Sequence, residues 1–322
     1  MNRLLATLLC LPLGGCLAVD VNLGSHRGDY AEKVVDGAAD AKAKIAMIDV
    51  EGVLSSEQSE SIFGSKESQV VSFVEKLKLA EADPDVKAVL VRIDSPGGDV
   101  TTSDILYHEL AAFKARKKVP VVAAFMGIAA SGGYYLASAA DAIVAHPTSI
   151  TGSIGVISLH ISLAGLLEKI GVKVVALKSG PNKDMGSPFR EMTDADRKLL
   201  QSLIDQFYGR FVSVVAEGRK GRLSEADVRT LADGRVYTAQ EALQAKLVDR
   251  VGYLADAVSE VKTRAGIDQA KLVLYSRRPG RIDNAYSSAP SAETFGTGDL
   301  EQARKLLGFH CYYLWEPYLL GK

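Results

Sequence analysis

Ser131 and Lys183 are the two residues whose types together could carry out acyl transfer. Ser131 sits in the run Met126-Gly127-Ile128-Ala129-Ala130-Ser131-Gly132-Gly133-Tyr134-Tyr135, and Lys183 in Asn182-Lys183-Asp184-Met185-Gly186-Ser187-Pro188. A serine hydroxyl becomes a useful nucleophile only when a base takes its proton. A lysine can be that base if it is held neutral. From an ordinary pKa of ~10.4 this takes a shift of about 3 units, or about 4 kcal/mol, and burial shifts lysines by ~3–5 units. The polar neighbours Asn182 and Asp184 do not supply such burial. The cover has to come from elsewhere in the fold or from a neighbouring subunit. Taken alone, Lys183 reads as a surface lysine.

Acyl transfer also needs donors for a developing oxyanion. A serine at a strand-to-helix turn, followed by Gly132 and Gly133, leaves the Gly132 N–H free to donate. The Gly97-Gly98 turn offers a second donor. Each such donor is worth roughly 2.7–4 kcal/mol in the transition state. Either glycine cluster on its own reads equally well as a tight turn. None of the five histidines (His26, His108, His146, His160 and His310) accompanies a G-x-S-x-G elbow, which argues against a Ser-His-Asp triad. No His/Cys cluster has metal-ligand spacing. Gly97-Gly98 lacks the G-x-G-x-x-G and P-loop patterns, so neither a metal nor a nucleotide cofactor is expected.

The elements that must position these groups are read from hydrophobic patterning. Ile45–Val50, Ala88–Ile93, Val119–Phe125, Ala142–Ala145 and Lys173–Leu177 read as strands, the second as one buried on both faces. Helical spacing recurs at Val70, Phe73, Val74 and Leu77, at Leu106, Leu110 and Phe113, and at Leu163, Leu166, Leu167 and Ile170. Alternating strands and helices predict an α/β fold of βαβ units on a parallel sheet. After Lys183 the chain is mainly helical: Thr193 caps a helix striped by Leu200, Leu203, Ile204, Phe207, Phe211 and Val214. Ser224 caps another helix, and Thr238-Ala239-Gln240-Glu241 is a capping box.

The termini read differently. Residues 1–15 have a short basic start and the apolar run Leu4–Leu13, too short to span a bilayer, followed by Leu13-Gly14-Gly15-Cys16. This resembles a bacterial lipoprotein signal with Cys16 as the acylated residue, an ordinary secretory signal being the alternative. Residues 16–42 read as a tether, and 276–322 as a linker with an aromatic tail (Phe309, Tyr312, Tyr313, Trp315, Tyr318) that should dock on a groove of its own or a neighbouring subunit, or be a disordered end. Of Cys10, Cys16 and Cys311, only the last would remain free. A formal net charge of −1 over 322 residues leaves no nucleic-acid footprint.

Four motifs occur in order: Asp94-Ser95-Pro96-Gly97-Gly98, Ala129–Tyr135, Thr151-Gly152-Ser153-Ile154-Gly155-Val156 and Lys183–Pro188. With Asp233-Gly234-Arg235-Val236-Tyr237-Thr238 and Leu247-Val248-Asp249, they make residues 44–265 resemble the signal peptide peptidase A family (peptidase S49), of the short single-core bacterial type. The resemblance implies a ClpP/crotonase-like core over residues 43–275 with a helical C-terminal part. It implies Ser131 as nucleophile, Lys183 as general base, Gly98 and Gly132 as the oxyanion hole, and Ser153 as a helper that hydrogen-bonds the lysine. It further implies hydrophobic remnant signal peptides as substrates, and a homo-oligomer whose active sites lie between subunits. Pro181-Asn182 departs from the basic and aromatic residues usual before the lysine. The expectation is a lipid-anchored serine endopeptidase in the cell envelope, facing the periplasm. A crotonase-like acyl-CoA enzyme and a non-catalytic membrane scaffold are the rival readings.

Overall fold

The computed structural model describes residues 30–38, 40–56, 59–61, 64–66, 68–277, 284 and 311–314. Residues 1–15, read above as a signal peptide, and Cys16 lie outside them. In chain order, β1 (Ala31–Gly37) and β2 (Lys44–Glu51) precede β3 (Ser59–Ser61) and β4 (Gly64–Lys66). Then come α1 (Gln69–Ala82), β5 (Val86–Ser95), β6 (Gly97–Asp99), α2 (Val100–Lys117), β7 (Val121–Ala130), α3 (Gly132–Ala137), β8 (Ala142–Ala145) and β9 (Ile150–Gly152). The remainder comprises α4 (Ala164–Lys169), α5 (Asp194–Gly218), α6 (Glu225–Leu231), β10 (Val236–Thr238), α7 (Ala239–Gln244), β11 (Arg250–Val251), α8 (Leu254–Ala265), β12 (Lys271–Ser276) and β13 (Tyr312–Leu314).

The main sheet runs β1-β12-β2-β5-β7-β8-β11. Along this path all neighbours are parallel except the edge strand β1, which lies antiparallel to β12; off the path, β9 joins β7 in parallel and pairs antiparallel with β10. The apolar runs are near-continuous because helices cover both faces. Ala46, Ile48, Val89, Val91, Ala123 and Phe125 pack on one side with Phe73, Leu110 and Phe211. Ile45, Met47, Leu90 and Val122 pack on the other with Leu254, Ala257 and Val261 of α8. This is the α/β core expected from the strand–helix alternation, and helices do dominate after Lys183.

Two expectations need correction. Ala31–Gly37, placed in the tether, is instead β1, so the folded core starts before residue 43. Its charged sequence hid it: edge strands carry polar side chains where central strands cannot. Lys173–Leu177 forms no strand. Among the described residues no strand pairs with it, and its apolar side chains stay out in solvent, with Val175 78% and Leu177 97% exposed.

One irregularity aims the chain at the site. Opposite β5, Ile93 pairs with Phe125 but Ser95 pairs with Ala129, so β7 carries two extra residues there. The Asp94 carboxylate accepts from the Ile128 N–H at 2.9 Å within this bulge. Past it, β7 leaves β8 and pairs with β9 instead, Ala130 lying opposite Gly152. A bulge bends its strand and redirects the chain beyond it, and the first residue beyond β7 is Ser131.

Candidate active site

Ser131 closes β7 and opens α3 at φ 52°, ψ −117°. That left-handed φ is rare for a residue with a Cβ and costs on the order of 1–3 kcal/mol unless the surroundings enforce it. They do. The Ser131 N–H donates to the Gly152 carbonyl at 2.7 Å, and its own carbonyl accepts from Tyr135 N–H at 2.8 Å. All of α3 is buried, and the Tyr134 hydroxyl donates to the Leu247 carbonyl at 2.7 Å. The Ser131 Oγ is buried with no hydrogen-bond partner, which is unusual for a buried hydroxyl. A strained strand-to-helix turn presenting an unengaged hydroxyl is the geometry of a nucleophile.

Gly98 and Gly132 are brought beside it. The Ser95 hydroxyl donates to the Gly52 carbonyl at 2.6 Å and accepts from Gly97 N–H at 3.1 Å, setting the turn into β6. There Leu54 N–H donates to the Gly97 carbonyl and Asp99 N–H to the Leu54 carbonyl. Side chains are not tolerated: a Cβ on Gly98 would lie 1.9 Å from the Leu54 oxygen. A Cβ on Gly97, whose φ is +99°, would lie 2.6 Å from the Gly132 nitrogen, so β6 and the start of α3 touch. Because Gly97 and Asp99 turn their backbone groups to Leu54, Gly98 turns its own N–H to the opposite edge.

Ser153 follows Gly152, is buried, and also has a positive φ, 50°. Its N–H donates to the Arg235 carbonyl at 2.7 Å. Lys183 is not brought to Ser131 within one chain. It is exposed on a turn, while Asp184 next to it is clamped by Arg190 at 3.0 Å and Lys178 at 2.8 Å. The Arg190 bond, then the Lys178 bond, hold the Asp184 carboxyl down to about 2. Arg190 also reaches Asp196 at the start of α5 at 2.5 Å, so the Lys183 turn is tied to that helix. Among the described residues no group of side chains has the makings of a metal site.

Sequence reasoning expected the aromatic tail to dock on a groove but did not say where. The edge of β6 that Gly98 faces is filled by β13, with Gly98 opposite Tyr313 in an antiparallel pair. The aromatic composition of the tail was the signal, and its residues 311–314 do dock on a groove of their own chain.

A family model described as peptidase family S49 matches residues 113–268, and one described as Clp protease matches residues 43–150. An Enterococcus faecium protein named "Putative signal peptide peptidase SppA" is 36% identical over 77% of this chain and 71% of its own length. The chain belongs to peptidase family S49. Membership of S49 makes it a serine peptidase on a ClpP-like α/β core, and sets aside the acyl-CoA reading. Two further relatives are "Protease 4" of Salmonella typhi, 33% identical over 81% of this chain and 40% of that one, and "Serine protease SPPA, chloroplastic" of Arabidopsis thaliana, 35% identical over 62% and 29%. The S49 core thus occupies less than half of each of those longer relatives.

Proposed function

We propose that this S49 peptidase cleaves hydrophobic peptides, remnant signal peptides among them, with a Ser131–Lys183 dyad assembled between neighbouring copies of the chain. The observation that carries the reading is the unpartnered, strained Ser131 hydroxyl, set against a lysine that stands exposed on its own chain. Exposed apolar residues precede that lysine (Val172, Val174, Val175 and Leu177), and a neighbour covering them would also bury Lys183. Burial lowers a lysine's pKa, which is what a general base requires.

In the reaction, the neutral Lys183 amine takes the Ser131 proton as Oγ bonds to the peptide carbonyl carbon. The oxyanion sits against the N–H groups of Gly98 and Gly132. Collapse breaks the C–N bond, and Lys183 returns the proton to the leaving amine. Water, deprotonated by the same lysine, then releases the acyl group and restores Ser131. Ser153 holds the lysine in line. Acylation of Cys16 anchors the protein to a membrane with the domain outside the cytoplasm; among the described residues no helix is long and apolar enough to cross one.

Mixing tests the shared site. Ser131→Ala and Lys183→Ala are each expected to abolish cleavage of an apolar fluorogenic peptide, and chains carrying one substitution each, co-assembled, to regain part of it. Turnover by either variant alone would refute the dyad; no recovery on mixing would refute its division between chains. For the anchor, Cys16→Ser should release the protein from membranes, and retention without any lipid in the mass spectrum would overturn it.

A further inference from the structure

Lys183 stands in a closed loop. The Lys178 amine donates to both carboxylate oxygens of Asp184 at 2.8 Å and to the Pro181 carbonyl at 3.2 Å. Residues 178–184 are thereby drawn shut around Lys183. Backbone bonds shape what lies inside: Lys183 N–H to the Gly180 carbonyl at 3.3 Å, Met185 N–H to the Asn182 carbonyl at 3.1 Å, and Ser187 N–H to the Asp184 carbonyl at 3.0 Å. Arg190 joins the loop to the rest of the chain. It donates to Asp184 at 3.0 Å, to the Glu191 carbonyl at 3.0 Å and to Asp196 at 2.5 Å. Asp196 in turn accepts from Thr193 N–H at 3.0 Å in the capping box that starts α5. Among the described residues the Lys183 amine itself enters no ion pair.

Such a loop does two things for a base that acts on another copy of the chain. It fixes the backbone that carries Lys183 without help from a buried core. It also disposes of a charge. Asp184 follows Lys183 directly, and a nearby carboxylate holds the proton on an amine, whereas a nearby cation helps to drive it off. Lys178 and Arg190 supply two cations, Asp184 and Asp196 two carboxylates, so the joined cluster has no net charge. The remaining charged groups are engaged or stand apart. The Glu191 carboxylate accepts from the Ser162 hydroxyl at 2.9 Å, and Asp194 lies exposed in the first turn of α5. Residues 158–163, tied to the loop by Leu163 N–H to the Pro188 carbonyl at 2.6 Å, bring His160, and α4 beyond them brings Glu168 and Lys169. Ser131 and Ser153 of a facing copy carry no charge.

We infer that Lys178 and Arg190 are positioning residues of the general base: they clamp Asp184 so that the loop meets the neighbouring copy in one shape, and they cancel the carboxylate's hold on the Lys183 proton. This rests on the reading of Lys183 as the base. With the clamp intact, Lys183 meets Ser131 beside a cluster without net charge. Without Lys178 it meets Ser131 beside an excess carboxylate, and without the Asp184 charge beside an excess cation. The two losses act in opposite directions on the proton, which a clamp that only held the loop together would not produce.

The test keeps the full chain. On an apolar fluorogenic peptide, kcat/KM falls on the acidic side as the essential base takes up its proton. Lys178→Met should move that limb up by about one pH unit, so that turnover drops about tenfold below it and is regained at higher pH. Lys178→Arg, which restores the cation, should bring the limb back. Asp184→Asn keeps the shape of the side chain but not its charge, and should move the limb down. Arg190→Gln should move it up and also lower the melting temperature, because the loop comes off α5. The same order should appear without catalysis. In assembled Ser131→Ala chains, acetic anhydride acylates only a neutral amine. The pH at which Lys183 becomes half-reactive, read from the mass of its peptide, should be higher with Lys178→Met and lower with Asp184→Asn; this serves for any variant that does not turn over. A limb and a labelling midpoint that stay put, or move the same way in every variant, would overturn the inference even with Lys183→Ala inactive. Turnover by Lys183→Ala with the acidic limb unchanged would instead remove Lys183 as the base, and the inference with it.

Discussion

Ser131 and Gly152 are joined by a 2.7 Å bond from the serine N–H to the glycine carbonyl, and both have positive φ, 52° and 82°. The strained Ser131, the proposed nucleophile, is thus fixed by a second backbone position that only glycine occupies without strain. A Cβ on Gly152 would meet the Tyr237 ring at 2.5 Å and the Arg235 carbonyl at 3.1 Å. Gly152→Ala should therefore destabilise the fold by about 1–3 kcal/mol. It should also lower kcat beyond what the loss of folded protein explains, because Ser131 moves with its partner. Thermal melts and turnover on the same sample separate the two effects; an undiminished kcat would show that Ser131 does not depend on the bond.

The buried ion pair at the C-terminal end of α5 is structural. Arg219, 2% exposed, gives Asp249 two bonds of 2.9 Å and reaches the Lys246 carbonyl at 2.9 Å. Asp249 also accepts from Ile143 N–H in β8 at 2.8 Å. Asp249→Ala leaves a buried guanidinium without its counter-ion, a change that costs about 3–5 kcal/mol. The melting temperature should drop sharply while turnover per folded molecule is unchanged. A melting temperature equal to that of the unsubstituted protein would count against the pair as a fastener.

Much of this was legible in the sequence where the cause is local. Ala88–Ile93 announces a strand covered on both faces because its run is almost wholly apolar, and Thr238 and Glu241 form the capping box their spacing predicts. Ser131 stood out because glycines come directly after it. What was hidden depends on distant partners. The extra residues of β7 exist only relative to β5. The charged Ala31–Gly37 is a strand because β12 lies beside it, and the register of Tyr313 on Gly98 joins segments far apart in the chain. Lys173–Leu177 carries a strand's pattern, yet forms no strand, because among the described residues nothing covers it.

The clamp on Asp184 makes a prediction in pH. Its carboxyl is held down to about 2 by Arg190 and then Lys178, and Asp196 is likewise held below its ordinary range, chiefly by Arg190. A carboxyl whose pKa is lower folded than unfolded, where it is ~3.9, stabilises the fold fully above the unfolded value. That stabilisation is lost as pH falls through the folded one. The melting temperature should therefore fall as pH drops from about 4 toward 2, and fall less for Asp184→Asn, which cannot titrate there. Parallel curves for the two proteins would remove Asp184 from the clamp.

The exposed apolar stretch before Lys183 gives the sharpest test of assembly. Val175 and Leu177 are 78% and 97% exposed, and neither contributes to the core around Ser131. Bare apolar side chains grouped on one surface are the usual mark of an interface. Val175→Asp combined with Leu177→Asp puts like charges on that surface in every copy, and charges buried without partners are strongly disfavoured. The doubly substituted chain should sediment as a monomer, melt close to the unsubstituted temperature, and lack peptidase activity, because Lys183 no longer reaches a neighbour's Ser131. A folded, active monomer would mean that the dyad closes within one chain.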